Sequence, residues 1–209
     1  MGKLHVLNHP LIKHKLSMMR KKETTTRDFR SLADEISLLM AYEVTRDLPL
    51  EACEIETPIC KMNADFVSGR SIGIVDILPS GYAMLNGFLT LVPNAKVGHI
   101  GLRNDPDTHK TVEYYCKLPF DVQERSVIVI DPMLATGKSA IAVINHLKAR
   151  GCKYIKLMNL IAAPDGVKAV MNAHGDVDIY VAALDEGLDE NNQIVPGLGD
   201  ANYRLFGTK

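Results

Sequence analysis

The sequence predicts an α/β fold, a mostly parallel twisted sheet flanked by helices, and three observations carry the prediction. Apolar β-branched runs such as Val127-Ile128-Val129-Ile130, suited to strands covered on both faces, alternate with stretches whose apolar residues recur at helical spacing. No internal repeat or low-complexity linker interrupts that alternation over 209 residues, a length that suits one domain. The run at 127–130 also passes through a small-residue loop straight into a helix, and in α/β sheets that strand end is where ligands bind.

In chain order, a helical arm is expected over Pro10 to Lys21, within an N-terminal arm of residues 1–25. A longer amphipathic helix starts at Thr26 or Arg27, with Phe29, Leu32, Ile36, Leu39, Met40 and Tyr42 as its core stripe. Strands are expected at Ile72 to Leu78, Lys96 to Leu102, Ser126 to Ile130, Tyr154 to Ile161 and Val177 to Ala183. Crossover helices fit Tyr82 to Leu91, Lys138 to Arg150 and Gly166 to Ala173, with Gly151 at the end of the second. The polar segment from Arg103 to Pro119 reads as a β-hairpin projecting from the sheet.

Composition excludes several classes. With 46% apolar and 23% charged residues the chain can fill a core and stay soluble. A net charge of -1 and a pI near 6.6 argue against a nucleic-acid surface built on bulk charge. Cys53, Cys60, Cys116 and Cys152 form no C-x-x-C pair, so they read as reduced thiols packed as small apolar groups, with no metal cluster to be made from them. The 7 histidines lack H-E-x-x-H spacing and read as packing or surface residues. Neither a signal-peptide core nor a myristoylation pattern is visible, since Val6 stands where the latter needs Ser or Thr. The uncharged stretch from Ile77 to Ala95 is broken by Pro79, Gly81, Gly87 and Pro93, so no membrane span is expected and the location is read as cytoplasmic.

The loop after the 126–130 strand carries the chemistry. Its backbone N–H groups and the positive end of the following helix can converge on an anion without a cationic side chain. Thr136-Gly137-Lys138-Ser139 copies the end of a nucleotide-binding P-loop, but a P-loop needs Gly where this chain has Pro132, preceded by Asp131. Proline fixes φ and removes a donor, and a carboxylate there would repel wrapped phosphates. A P-loop nucleotide-binding protein is therefore the remote alternative. An acid at the loop's start suits sugar hydroxyls instead, with backbone groups on a 5′-phosphate.

That pattern resembles the phosphoribosyl-pyrophosphate (PRPP) loop of the type I phosphoribosyltransferases, and the remaining motifs narrow the resemblance to the uracil phosphoribosyltransferase family. They are His9-Pro10-Leu11-Ile12-Lys13-His14-Lys15-Leu16, Lys96-Val97-Gly98-His99-Ile100-Gly101-Leu102-Arg103, Val112-Glu113-Tyr114-Tyr115, Ala162-Ala163-Pro164-Asp165-Gly166-Val167, and above all Ile194-Val195-Pro196-Gly197-Leu198-Gly199-Asp200-Ala201 followed by Phe206-Gly207-Thr208. The resemblance implies a single domain over 1–209, with a flexible hairpin cover at about 103–119 and a uracil-binding segment at 190–209. It implies transfer of the 5-phosphoribosyl group from PRPP to uracil, giving UMP and pyrophosphate in pyrimidine salvage. Mg²⁺ held mainly through PRPP and water, with no direct protein ligand, and GTP as an activator are implied too, as is a homodimer or higher homo-oligomer.

By the same resemblance Asp131, Arg103 and Asp200 are the catalytic candidates. PRPP is expected to meet Arg103, the loop Asp131, Pro132, Met133, Leu134, Ala135, Thr136, Gly137, Lys138 and Ser139, and Asp200. Uracil is expected at Ile194, Gly199, Asp200 and Ala201, largely against main-chain groups, with glycine letting the backbone approach the flat base. The basic run Arg20-Lys21-Lys22 reads either as part of a dimer-contacting arm or as a solvated helix end.

Three departures from the family pattern fall in these loops. Its usual Ile-Leu-Arg-Ala-Gly is here Ile77-Leu78-Pro79-Ser80-Gly81, an altered pyrophosphate loop in which Pro79 supplies neither charge nor backbone donor. Its Thr-Gly-Gly-Ser is here Thr136-Gly137-Lys138-Ser139, and a lysine in the first helical turn opposes the helix dipole unless an anion sits nearby. Its Gly-Asp-Ala-Gly-Asp-Arg continues here as Asn202-Tyr203-Arg204. Lys138 either restores the cation lost at Pro79 or marks an impaired homologue with a nucleotide-binding or regulatory role; Asp131, Arg103, Asp200 and the base-binding tail favour an active enzyme.

Overall fold

In the computed structural model, residues 2–68, 72–104 and 111–208 are described. The chain runs through β1 (Leu4–Val6), α1 (Pro10–Arg20), α2 (Thr26–Val44), the hairpin β2 (Leu50–Glu56) and β3 (Lys61–Val67), then β4 (Ile72–Leu78). A 3₁₀ turn at Ser80–Met84 leads into α3 (Leu85–Leu91), followed by β5 (Lys96–Asn104), β6 (Thr111–Lys117) and β7 (Ser126–Ile130). Then come β8 (Met133–Leu134), α4 (Lys138–Ala149), β9 (Tyr154–Ala162), α5 (Pro164–Ala173) and β10 (Asp178–Leu184). The short strands β11 (Gly187–Leu188) and β12 (Ile194–Val195) and helix α6 (Ala201–Phe206) close the chain.

The main sheet has the order β1-β10-β9-β7-β4-β5-β6, with β8 also on β9. Neighbours are parallel except β5 and β6. From β4 the chain steps outward to β5 and β6, then returns to the other side of β4 and continues outward through β7, β9 and β10. The direction of winding reverses between β4 and β7, which opens a crevice at their carboxyl ends.

Strand alternation builds two cores. Ile72, Ile74, Ile128 and Ile130 pack with Phe29, Ile36 and Met40 of α2 and with Met84 and Phe88. Val75, Ile77, Val127 and Val129 pack on the other face with Val143, Ile144 and Leu147 of α4 and with Val167 and Val170 of α5. The expected stripe of α2 holds except at its end, where Tyr42 is exposed and Val44 is buried. Thr25 caps α2 by accepting from Asp28 N–H at 3.2 Å, so the helix begins one residue after its cap and at the first expected position.

Several elements escaped the sequence reading. The β2–β3 hairpin is exposed on both faces over much of its length and owes its form to cross-strand pairing, so no core-facing stripe announces it. The expected helix at Tyr82 to Leu91 divides into the 3₁₀ turn and α3. The hairpin expected at 103–119 forms from β5 and β6, and β6 lies along the edge of the main sheet; residues 105–110 at its tip lie outside the described residues. No described helix is long and apolar enough to cross a membrane.

Candidate active site

Asp131 follows the last residue of β7 and stands at the mouth of the crevice. Its main chain is tied down from both sides: the amide donates to Met158 O at 3.2 Å and the carbonyl accepts from Asn159 Nδ2 at 2.7 Å. The side chain accepts from Ser80 Oγ at 2.8 Å, a bond that crosses from the loop after β4 to the loop after β7. Burial pushes the Asp131 carboxyl from 3.8 to about 7, against the pull of the Ser80 hydroxyl and the Met133 N–H.

The rest of the loop divides into a floor and a rim. Met133 and Leu134 extend the sheet as β8 beside β9, Pro132 O accepts from Ile161 N at 3.1 Å, and Leu134 O accepts from Ala163 N at 2.9 Å. Pro132 and Leu134 are buried, so these residues brace the loop from beneath. Ala135, Thr136 and Ser139 are half-buried, and Lys138 is exposed at the first position of α4. Gly137 precedes it with φ of 80°, a left-handed conformation that a side chain would strain, and the first N–H groups of α4 follow it without intrahelical partners.

The altered loop Pro79-Ser80-Gly81 sits across the crevice. The peptide bond Leu78–Pro79 is cis, and Pro79 is exposed. A Cβ on Gly81 would lie 2.5 Å from Ile130 O, so only glycine lets this turn press against the end of β7. Beneath it, Asp76 of β4 is fully buried and meets Nδ1 of His99 on β5 at 2.7 Å, while its Oδ2 has no hydrogen-bond partner among the described residues. Burial raises the Asp76 carboxyl, and His99 offsets part of that. The sequence reading of His99 as plain packing missed this pair, since nothing in one strand tells which residue lies opposite in the next.

Arg103 is exposed on β5, two residues beyond Gly101, which pairs with Leu78 beside the altered loop. Asp200 is exposed and caps α6 by accepting from Tyr203 N at 3.1 Å. Ile194 and Ala201 are buried, whereas Gly199 is exposed with φ of 73°. Helix α6 packs against the 3₁₀ turn that follows Pro79, which brings the C-terminal segment to the same end of the sheet as Asp131.

What anchors that segment was absent from the sequence reading. Asp185, nearly buried just past β10, pairs with both guanidinium nitrogens of Arg20, one at 2.8 Å, and accepts from Gly197 N at 2.9 Å. Arg20 also donates to Gly197 O at 2.7 Å. Arg204 lies over the Phe29 ring at 4.4 Å and donates to Leu198 O at 3.0 Å. Arg20 is thus no solvated helix end: it ties the arm to the tail. The available signal was an acid directly after a strand, Leu184-Asp185, the same pattern as Ile130-Asp131.

The family model for uracil phosphoribosyltransferase matches residues 6–208. The chain is 60% identical over 209 residues to the uracil phosphoribosyltransferase of Desulfitobacterium hafniense, with 100% of both chains covered. To that of Geobacillus kaustophilus it is 61% identical over the same span. Among solved structures the AQ2163 protein from Aquifex aeolicus superposes with a TM-score of 0.93 at 34% identity, covering 99% of each chain. A hypoxanthine-guanine phosphoribosyltransferase from Bacillus anthracis shares the fold, with a TM-score of 0.53 at 15% identity over 77% of this chain and 80% of its own. With an acid-headed loop at the switch point, an anchored tail beside it and full-length relatives of this identity, the chain belongs to the uracil phosphoribosyltransferase family.

Proposed function

We propose that the chain transfers the 5-phosphoribosyl group from PRPP to N1 of uracil, releasing UMP and pyrophosphate, and that the loops around Asp131 are its active site. The observation that carries this reading is the half-buried Asp131 carboxylate at the head of the loop that opens α4, with a segment anchored by Asp185 and Arg20 at the same end of the sheet.

In this reading Asp131 exchanges its bond to Ser80 for the ribose hydroxyls, and the N–H groups of Ala135 to Ser139 hold the 5′-phosphate at the start of α4. Arg103 and Lys138 supply positive charge toward the pyrophosphate, which Pro79 cannot. Asp200 borders PRPP, and main-chain edges at Ile194, Gly199 and Ala201 face uracil; a carbonyl and N–H pattern made for uracil leaves the cytosine amino group mispaired. The anomeric carbon passes through an oxocarbenium-like state, so alignment and stabilisation of the departing charge are what the residues contribute.

Phosphoribosyltransferases generally use Mg²⁺. An ion of this kind keeps several of its waters and suits the oxygen donors of PRPP, so it is carried mainly by substrate and water. Such an ion would neutralise phosphate charge as pyrophosphate leaves. GTP activation is carried over from the family resemblance alone, and turnover with and without GTP checks it.

For the oligomer we favour a homodimer in which the β2–β3 hairpin is covered. Leu50, Met62, Phe66 and Val67 are exposed on it and Ile59 at its tip is 94% exposed. A two-stranded hairpin is marginal by itself in water, and an apolar surface of this kind calls for a partner. Steady-state turnover with uracil and PRPP tests the activity; failure to form UMP at high enzyme concentration would sink it.

A further inference from the structure

We propose that Glu113, Cys116 and His146 form a zinc-type metal site that staples the edge strand β6 to helix α4, apart from the substrate loops. Cys116 Sγ lies 3.3 Å from Nε2 of His146, and Nδ1 of the same ring lies 2.9 Å from Glu113 Oε2. One ligand atom from each residue lies within 4.8 Å of the others.

A strand irregularity makes the site possible. Residues three apart on a regular strand point to opposite faces, so Glu113 and Cys116 could not ordinarily meet one partner. Here Gly101 pairs with Tyr115 and Leu102 with Glu113, leaving Tyr114 as an extra residue in β6. That bulge returns Glu113 and Cys116 to one face, the face against which α4 presents His146; bulges re-aim side chains in this way beside functional sites.

The chemistry of the donors selects the ligand. A thiolate and an imidazole together suit Zn²⁺. Zinc–sulfur and zinc–nitrogen bonds of about 2.3 and 2.0 Å at a tetrahedral angle place S and N about 3.5 Å apart, close to the separation found. Glu113 holds the other ring nitrogen, the arrangement in which a carboxylate fixes the tautomer and orientation of a metal-bound histidine. Cys116 Sγ and His146 Nε2 are then the protein ligands, Glu113 is the outer partner on Nδ1, and water completes the set.

Co²⁺ titration of the full-length protein tests the site, because cobalt bound to a thiolate gives a sulfur-to-metal charge-transfer absorption in the near ultraviolet. The expected result is one equivalent bound with that absorption, displaced by Zn²⁺. Cys116→Ala and His146→Ala should abolish the absorption, and Glu113→Gln should weaken Zn²⁺ binding by about tenfold. Zn²⁺ should also slow alkylation of Cys116 while leaving exposed Cys60 unaffected. A wild-type protein without the absorption, or one whose absorption survives both alanine changes, overturns the proposal. So does a Cys116 that alkylates faster than Cys60 whether or not Zn²⁺ is present, which would mark an activated thiol instead.

Discussion

Ser80 Oγ donates to Asp131 Oδ1 across 2.8 Å, so the residue beside the cis Leu78–Pro79 bond holds the carboxylate that heads the loop into α4. This bond links the two loops that frame the crevice.

The pH dependence follows from Asp131. With its carboxyl near 7, the ionised form that best accepts ribose hydroxyls grows through neutral pH, so kcat/KM for PRPP should rise through about pH 7 and level off above it. Ser80→Ala removes a bond that lowers this carboxyl and should move the acidic limb to higher pH. A limb that stays in place would show that Ser80 does not tune Asp131.

Stability should run the other way. A carboxyl that stays protonated in the folded protein up to about 7, but only to about 3.8 when unfolded, lets the unfolded state lose its proton first as pH rises. The Asp131 contribution therefore lowers folding stability between those values and is constant above them. In Asp131→Asn this part of the slope should vanish in urea unfolding across pH, while kcat/KM falls about 10- to 100-fold from the lost charged hydrogen bond.

Lys138 is exposed at the first position of α4. If it replaces the charge missing at Pro79, Lys138→Gly raises the KM for PRPP and flattens its salt dependence, and adding Pro79→Arg brings both back toward the parent. A faster Lys138→Gly enzyme would instead mean that the lysine impairs the loop. Steady-state kinetics at two ionic strengths separates the outcomes.

Asp185 and Arg20 connect the N-terminal helix to the C-terminal tail proposed to face uracil. Among the described residues, Arg20→Met leaves a nearly buried carboxylate with only the Gly197 N–H, and removing one partner of such a pair costs about 3 kcal/mol. We expect a lower melting temperature together with a raised KM for uracil. A change in melting temperature alone would restrict the pair to folding.

The hairpin carries a plainer expectation. Ile59→Asp and Phe66→Asp each place a charge on its exposed apolar surface and should shift sedimentation toward monomer, without unfolding the sheet.

The core strands, the crossover helices and the Asp131 loop were legible because each is written locally: β-branched runs with period 2, stripes with period 3.6, and an acid followed by small residues at a strand end. The family motifs likewise lie in continuous stretches. Pairings between distant segments were not legible. Ser80 with Asp131, Asp76 with His99, Arg20 with Asp185, and Cys116 with His146 are each set by strand order, by register or by a bulge. The sequence alone thus determined the class of fold, the family and the strand–loop–helix unit around Asp131. Only the tertiary structure decided what holds Asp131, what anchors the tail and which scattered side chains meet, because these depend on which strands become neighbours and which face each side chain takes.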